Sequence, residues 1–346
     1  NILNGAHRVA CSLFFNKKVL IKNNPREGNF TCKYNFFTNR NLYKHLLPYP
    51  GKEKIDSLNE DYLDFGALEY LKLKKSNSRI AFFMTDNYRK HEENILTFLD
   101  SINVKVSIIK TITVNKTGFK NLIREFYLNE NFVNIDWKFE ECYKNNISEK
   151  IRILVFEHYD KEILNKFSMS GGEYKQHLRE LLGNHHMLHV TESDDDTLRL
   201  AKTVFNKNTI DFYNARNHDY DKSLLDCLNN YHNVLDRVAK KSNDNYCITS
   251  SFVMGLYGLR TPNDLDYIHN EIEIDNYPSH NKLKHLYPKS LKDIIHNPKN
   301  HFYIHGVKCC QLDIVKRMKI KRNEEPKDYE DVQLMNSIIN HMNLEL

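Results

Sequence analysis

A chain of 346 residues with 40% apolar residues is long enough to build more than one core. Its formal charge of +5 suits phosphate-bearing substrates without pointing to a dedicated nucleic-acid binder. Seven cysteines, an odd number without C-x-x-C spacing, exclude a disulfide framework and a structural zinc site. No apolar run reaches bilayer-spanning length and no signal-peptide pattern is present, so a cytoplasmic protein without a membrane partner is expected. The first residue is Asn1 rather than Met, as expected of a fragment.

Taken in order, residues 1–22 read as a strand end, an Asn4-Gly5 turn, a helix carrying His7 and Arg8 in its first turn, and a second strand. Such a unit aims backbone N–H groups and a guanidinium at an anion, which makes Gly5, His7 and Arg8 candidate phosphate contacts. An ordinary strand-turn-helix-strand with His7 and Arg8 on its surface fits the same residues. The segment is similar to the Gly-x-His-Arg helix of the ParB and sulfiredoxin-like superfamily. That resemblance implies contact with nucleotide phosphates and assigns residues 1–75 as a partial unit of that kind. Residues 23–77 are aromatic and basic, with a polar connector at Lys72 to Ser78.

From Arg79 the pattern alternates between strand and helix. Strands are expected at Ile80 to Met84, Val104 to Ile109, Ile151 to Glu157 and Met187 to Val190. Helices are expected from Asp86 to Leu99, Gly118 to Leu128, Tyr174 to Leu182 and Thr197 to Phe205, the last capped by Ser193 ahead of three aspartates. Alternation of this type predicts a three-layer α/β unit over 79–214 with a mainly parallel sheet, and places candidate ligand rims at Thr85-Asp86 and at His189 to Asp196. Lys175 and Arg179, four apart on one helix face, suit phosphate binding or, more simply, a solvated face. His185, His186, His189 and Glu192 match no familiar metal spacing.

Residues 214–221 form a polar link. An apolar stripe from Leu224 to Val238 then predicts a helix leading into the stretch that carries the chemistry, Cys247 to Ile268. Here a buried strand ends in Ser250-Ser251, a short helix runs from Phe252 to about Tyr257, Gly258 stops it, and a second strand carries Asp264 and Asp266. Carboxylates at i and i+2 of a strand share a face, and their repulsion is relieved by a divalent cation completed by substrate phosphates. The hydroxyl pair at the helix start offers N–H groups to those phosphates. Isolated Asp-x-Asp also occurs on solvated strands.

The stretch Leu256 to Thr261 followed by Asp264-Leu265-Asp266 resembles the core motif of the polymerase-β-like nucleotidyltransferase superfamily, in its toxin-type and small-substrate branch. Ser250-Ser251 stands where that motif has Gly-Gly or Gly-Ser. The tail matches in Lys316, Lys319, Lys327, Asp328 and Asp331, with Arg322 nearest to the motif's displaced arginine. The resemblance implies a nucleotidyltransferase-like α+β unit over 221–346 and therefore a multi-domain α/β protein. It implies catalysis and metal binding by Asp264 and Asp266, nucleotide contacts from Ser250, Ser251, Arg260 and Lys319, and Mg²⁺ or Mn²⁺ as cofactor. A third metal carboxylate is sought in Asp313, which also reads as a helix N-cap, or in Glu271, Glu273 and Asp275. The expected activity is transfer of a nucleotidyl group from a nucleoside triphosphate to a small-molecule acceptor, for example a surface-polymer precursor. The other expectation is a toxin-like or regulatory protein that modifies a protein or tRNA, or only binds nucleotide.

Overall fold

A computed structural model describes residues 60–128, 130, 133–146, 148–169, 171–215, 231, 233–235, 245–270, 279–324 and 326–344. Gly5, His7 and Arg8, and the unit to which they were assigned, lie almost wholly outside these residues. Helix α1 (Glu60–Lys74) occupies part of the expected connector.

The first sheet is laid down by β1 (Ser78–Phe83), α2 (Tyr88–Ser101), β2 (Lys105–Thr113), α3 (Lys116–Phe126), α4 (Ile135–Tyr143) and β3 (Lys150–Glu157). It continues through α5 (Lys161–Ser168), α6 (Glu173–Leu182), β4 (Leu188–Val190), α7 (Asp194–Val204) and α8 (Lys207–Ala215). Local chemistry sets most ends. Asn115, Asn134, Asp160 and Ser193 each accept an N–H bond at a helix start, and Gly183 at φ 69° closes α6.

The order is β2-β3-β1-β4, and every neighbouring pair is antiparallel. The expected mainly parallel sheet is therefore corrected. β1 and β2 do run the same way, as a crossover helix requires, but β3 is inserted between them, and β1 likewise separates β3 from β4. This is a split βαβ arrangement. Alternation of elements encodes the crossover, whereas the inserted strand comes from elsewhere in the chain. The three layers are present. Ala81, Phe83, Leu154 and Phe156 pack against α2, α5 and α6, while Ile80, Phe82, Ile153 and Val155 pack against α3, α7 and α8.

The second sheet comprises β5 (Tyr246–Thr249), β6 (Asp266–His269), β7 (His301–Ile304) and β8 (Val307–Cys310), with α9 (Ser250–Leu256), α10 (Leu291–His296), α11 (Leu312–Arg322) and α12 (Lys327–Leu344). Its order is β6-β5-β8-β7, with β5 parallel to β8 and the other pairs antiparallel. β7 and β8 form a hairpin, turned by His305 at φ 49° and Gly306 at φ 77°, the double left-handed geometry of a tight hairpin. Of the expected 224–238 helix, Tyr231 and residues 233–235 are described, and they are helical.

One apolar cluster runs from Phe82 and Phe119 of the first layer set to Ile248, Phe252 and Phe302 of the second. The seam is also hydrogen-bonded: Tyr303 N donates to Thr209 Oγ1 at 2.8 Å, and Lys202 Nζ donates to the Gly306 carbonyl at 3.1 Å. The whole is an α/β fold. Among the described residues no helix is long and apolar enough to cross a membrane.

Candidate functional site around Asp264 and Asp266

Strand β5 is buried at all four positions and lies between β6 and β8. Its last residue, Thr249, faces Asp266, the first residue of β6. Between them the chain enters α9 through Ser250, whose φ of 59° is left-handed. A residue with a Cβ is strained there by about 1 kcal/mol, and glycine is the residue that relieves it. Gly258 at φ 64° ends the helix region. A Cβ on Gly255 would stand 2.9 Å from Pro262 Cδ, so that glycine lets the following loop lie close against α9.

The loop delivers Asp264. The expectation of both aspartates on one strand is corrected: β6 begins at Asp266, and Asp264 precedes it in a bend. They come to the end of β5 separately. Asp266 arrives by strand register opposite Thr249, and Asp264 through its Oδ1, which accepts a 3.2 Å hydrogen bond from Ser251 Oγ. Asp264 is exposed and Asp266 is 5% exposed.

Asp266 has a partner that the sequence did not suggest. Its Oδ2 is 3.2 Å from His280 Nε2. His280 Nδ1 lies 3.1 Å from the Tyr287 hydroxyl, which donates to Thr249 Oγ1 at 3.2 Å. A polar chain thus circles from Asp266 through His280 and Tyr287 back to the strand end. Burial pushes the Tyr287 hydroxyl well above the ordinary tyrosine pKa, so it stays a proton donor. No periodicity or spacing links a histidine fourteen positions beyond Asp266 to it. Asn281 next door completes β6 by bonding both the amide and the carbonyl of His269.

The expected nucleotide contacts Arg260 and Lys319 are tied into a separate network. Arg260 Nη1 donates to Asp331 Oδ1 at 2.8 Å, and Lys319 Nζ, 1% exposed, lies 2.6 Å from Asp331 Oδ2 and 3.4 Å from Asp328 Oδ1. Arg322 forks onto both oxygens of Asp328, at 2.9 and 2.6 Å. Lys319 is corrected on this ground from a phosphate contact to a buried structural cation. Burial alone would raise the Asp328 carboxyl, but the Arg322 bonds, the Glu324 amide and Lys319 together hold it at about 2. Three cations face two carboxylates here. The negative charge of Asp266 adds to those of Asp328 and Glu324 in raising the Arg322 pKa.

Asp313 lies in the first turn of α11, one place beyond the N-terminal Leu312, with Gln311 as the cap. Its carboxylate pairs with Arg317 at 2.8 Å and Lys316 at 3.8 Å within the same helix, so it is spent locally rather than facing the acid pair. Glu271, Glu273 and Asp275 lie outside the described residues. Among the described residues no group of three or more His, Cys, Asp or Glu side chains gathers as a metal site.

No family model matches this chain, and no curated protein matches it. The site therefore stands on its own geometry. Elsewhere, His189 is buried and stacked on Phe126 at 5.1 Å, with burial holding its pKa well below the ordinary value. Lys175, expected on a solvated face, is 4% exposed and lies 3.7 Å from Glu192. Cys309 and Cys310 are fully buried core residues, as their apolar run predicts.

Proposed function

We propose that this chain is a nucleotidyltransferase of the polymerase-β-like type, which moves a nucleotidyl group from a nucleoside triphosphate to a small hydroxyl- or phosphate-bearing acceptor. The observation that carries this reading is the meeting at the end of β5: Asp266 opposite Thr249, and Asp264 bonded to Ser251 at the start of the helix. An exposed carboxylate and a second one at a strand mouth suit a hard cation that takes one or two carboxylates and leaves its other positions to water and phosphate. Asp264 and Asp266 would hold Mg²⁺ or Mn²⁺, which would neutralise charge on the triphosphate.

The remaining work falls to the chain itself. Ser251 orients Asp264, the left-handed Ser250 opens the backbone toward a ligand, and the His280–Tyr287 pair fixes the Asp266 carboxylate. The Arg260–Asp331–Lys319 network anchors the loop after α9 to the last two helices. A cytoplasmic setting supplies both nucleoside triphosphates and Mg²⁺.

A second reading is a regulatory or toxin-like protein that binds nucleotide, or that modifies a protein or tRNA. The pairing of Asp266 with His280, which occupies one oxygen of that carboxylate, favours binding without transfer within that reading. The test is incubation with each α-labelled nucleoside triphosphate, Mg²⁺ or Mn²⁺, and panels of small acceptors and tRNA. Transfer is expected to fall by about 10²–10³-fold or more in Asp264→Ala plus Asp266→Ala, with circular dichroism unchanged. Full transfer by that variant sinks the enzymatic reading, and saturable nucleotide binding without any product selects the second one.

A further inference from the structure

At the carboxyl end of β1, away from the acid pair, a cavity of about 360 Å³ opens between the Thr85-Asp86 turn, the first turns of α2, the end of β2 and the start of β3. Its volume suits a small metabolite. Thr85, Tyr88, Arg89, Thr111, Lys150 and Arg152 contribute to the wall together with Asp86, Glu92 and Ser148.

Hydrogen-bond accounting gives the cavity a sign. Both carboxylates are already used: Asp86 accepts the Ser148 amide at 3.1 Å and the Ser148 hydroxyl, and Glu92 accepts from Arg152 Nη2. Arg152 Nη1 donates to Thr111 Oγ1 at 2.8 Å, while its Nε is buried without a partner. The side chains of Arg89 and Lys150 make no hydrogen bond or ion pair with any described residue. Tyr88 is 1% exposed, and its hydroxyl lies beside Glu92 and Arg152 without reaching hydrogen-bond geometry with either. Burial, then the Glu92 charge, push that hydroxyl up to about 12, so it keeps its proton at neutral pH and has it to donate to a ligand. Arg152 Nε and the Tyr88 hydroxyl are buried donors without a hydrogen-bond partner, and Arg89 and Lys150 stand exposed at the mouth beside them. A buried unpaired donor is costly unless a ligand satisfies it.

We propose that this cavity binds a small phosphate monoester, with the phosphoryl group received by Arg89, Lys150 and the Tyr88 hydroxyl and the hydroxyls of the ligand facing Thr85, Thr111 and Ser148. Arg89, Lys150 and Arg152 against Asp86 and Glu92 leave the cavity one positive charge in excess, and the several N–H donors of Arg89 and Lys150, with the Tyr88 hydroxyl, suit the three terminal oxygens of a phosphoryl group better than the two of a carboxylate. The first turn of α2 adds the positive end of a 14-residue helix.

The experiment is calorimetric titration of the full chain with glycerol 3-phosphate and inorganic phosphate, and with glycerol, acetate and sodium chloride at matched ionic strength. Saturable binding is expected from the two phosphates alone. Arg89→Ala plus Lys150→Ala should weaken it by at least about tenfold, since each bond between a charged donor and an anion contributes substantially. Tyr88→Phe should weaken it several-fold, with an unchanged circular dichroism spectrum. Binding should persist in Asp264→Ala plus Asp266→Ala, which separates this cavity from the proposed nucleotidyltransferase site. Four results would each overturn the inference: no saturable phosphate binding, an equal response to chloride, acetate binding in place of phosphate, or unchanged affinity in the Arg89/Lys150 variant.

Discussion

The helices beside the second sheet and the open end of the first handle charge in opposite ways. Around the second, Arg260, Lys319 and Arg322 are each committed to Asp328 or Asp331, and Asp266 to His280. At the open end of the first, Arg89 and Lys150 face a cavity without protein partners, over a buried tyrosine hydroxyl. A cation that already holds a carboxylate is scaffold, and a cation that holds nothing is available to a ligand. Sequence shows the residue type but not the commitment, which is why Lys319 looked like a phosphate contact and Arg89 drew no notice.

The largest expected effect separates scaffold from surface. Lys319→Met leaves Asp328 and Asp331 short of a buried partner and should lower unfolding free energy by about 3–5 kcal/mol, whereas Arg89→Ala should stay within about 0.5 kcal/mol. Urea unfolding of the two variants side by side measures the contrast, and equal losses would erase the distinction.

A pH series sharpens it. The Asp328 carboxyl is lowered from 3.8 to about 2 in the folded chain. The stability it contributes is therefore complete above the unfolded value and lost as pH falls from 3.8 through about 2. Urea midpoints between those limits should drop in the natural chain and drop less in Asp328→Asn. Parallel slopes would show that the network does not hold that proton off.

The smallest effect concerns the turn into α9. Ser250→Gly should relieve the left-handed strain and raise stability by about 1 kcal/mol, read as a higher melting temperature. A loss instead would mean that the serine side chain is needed where it stands.

Much of the fold was legible because burial and period act locally. The strands at Ile80 and Ile151 announced themselves as short apolar runs, and Gly258 stopped its helix as expected. The Ser193 cap was legible for the same reason, its acceptor and donor being three residues apart. Strand direction was not, because the insertion of β3 between β1 and β2 is decided by packing across some forty residues. At the site, the residue types Asp264, Asp266 and Ser251 were visible and their meeting at the end of β5 was anticipated. The route was not: a strand pattern was extended two residues too far, and the real link is a side-chain bond across thirteen positions. His280 carried no signal at all.

The margins of the second sheet have a further consequence. On one side Thr209 takes the amide of Tyr303, and on the other Asn281 takes both main-chain groups of His269. Outer strands that spend their hydrogen bonds inward give an incoming strand little to bind. Each margin thus offers an incoming strand fewer free main-chain groups, through one polar side chain on either side.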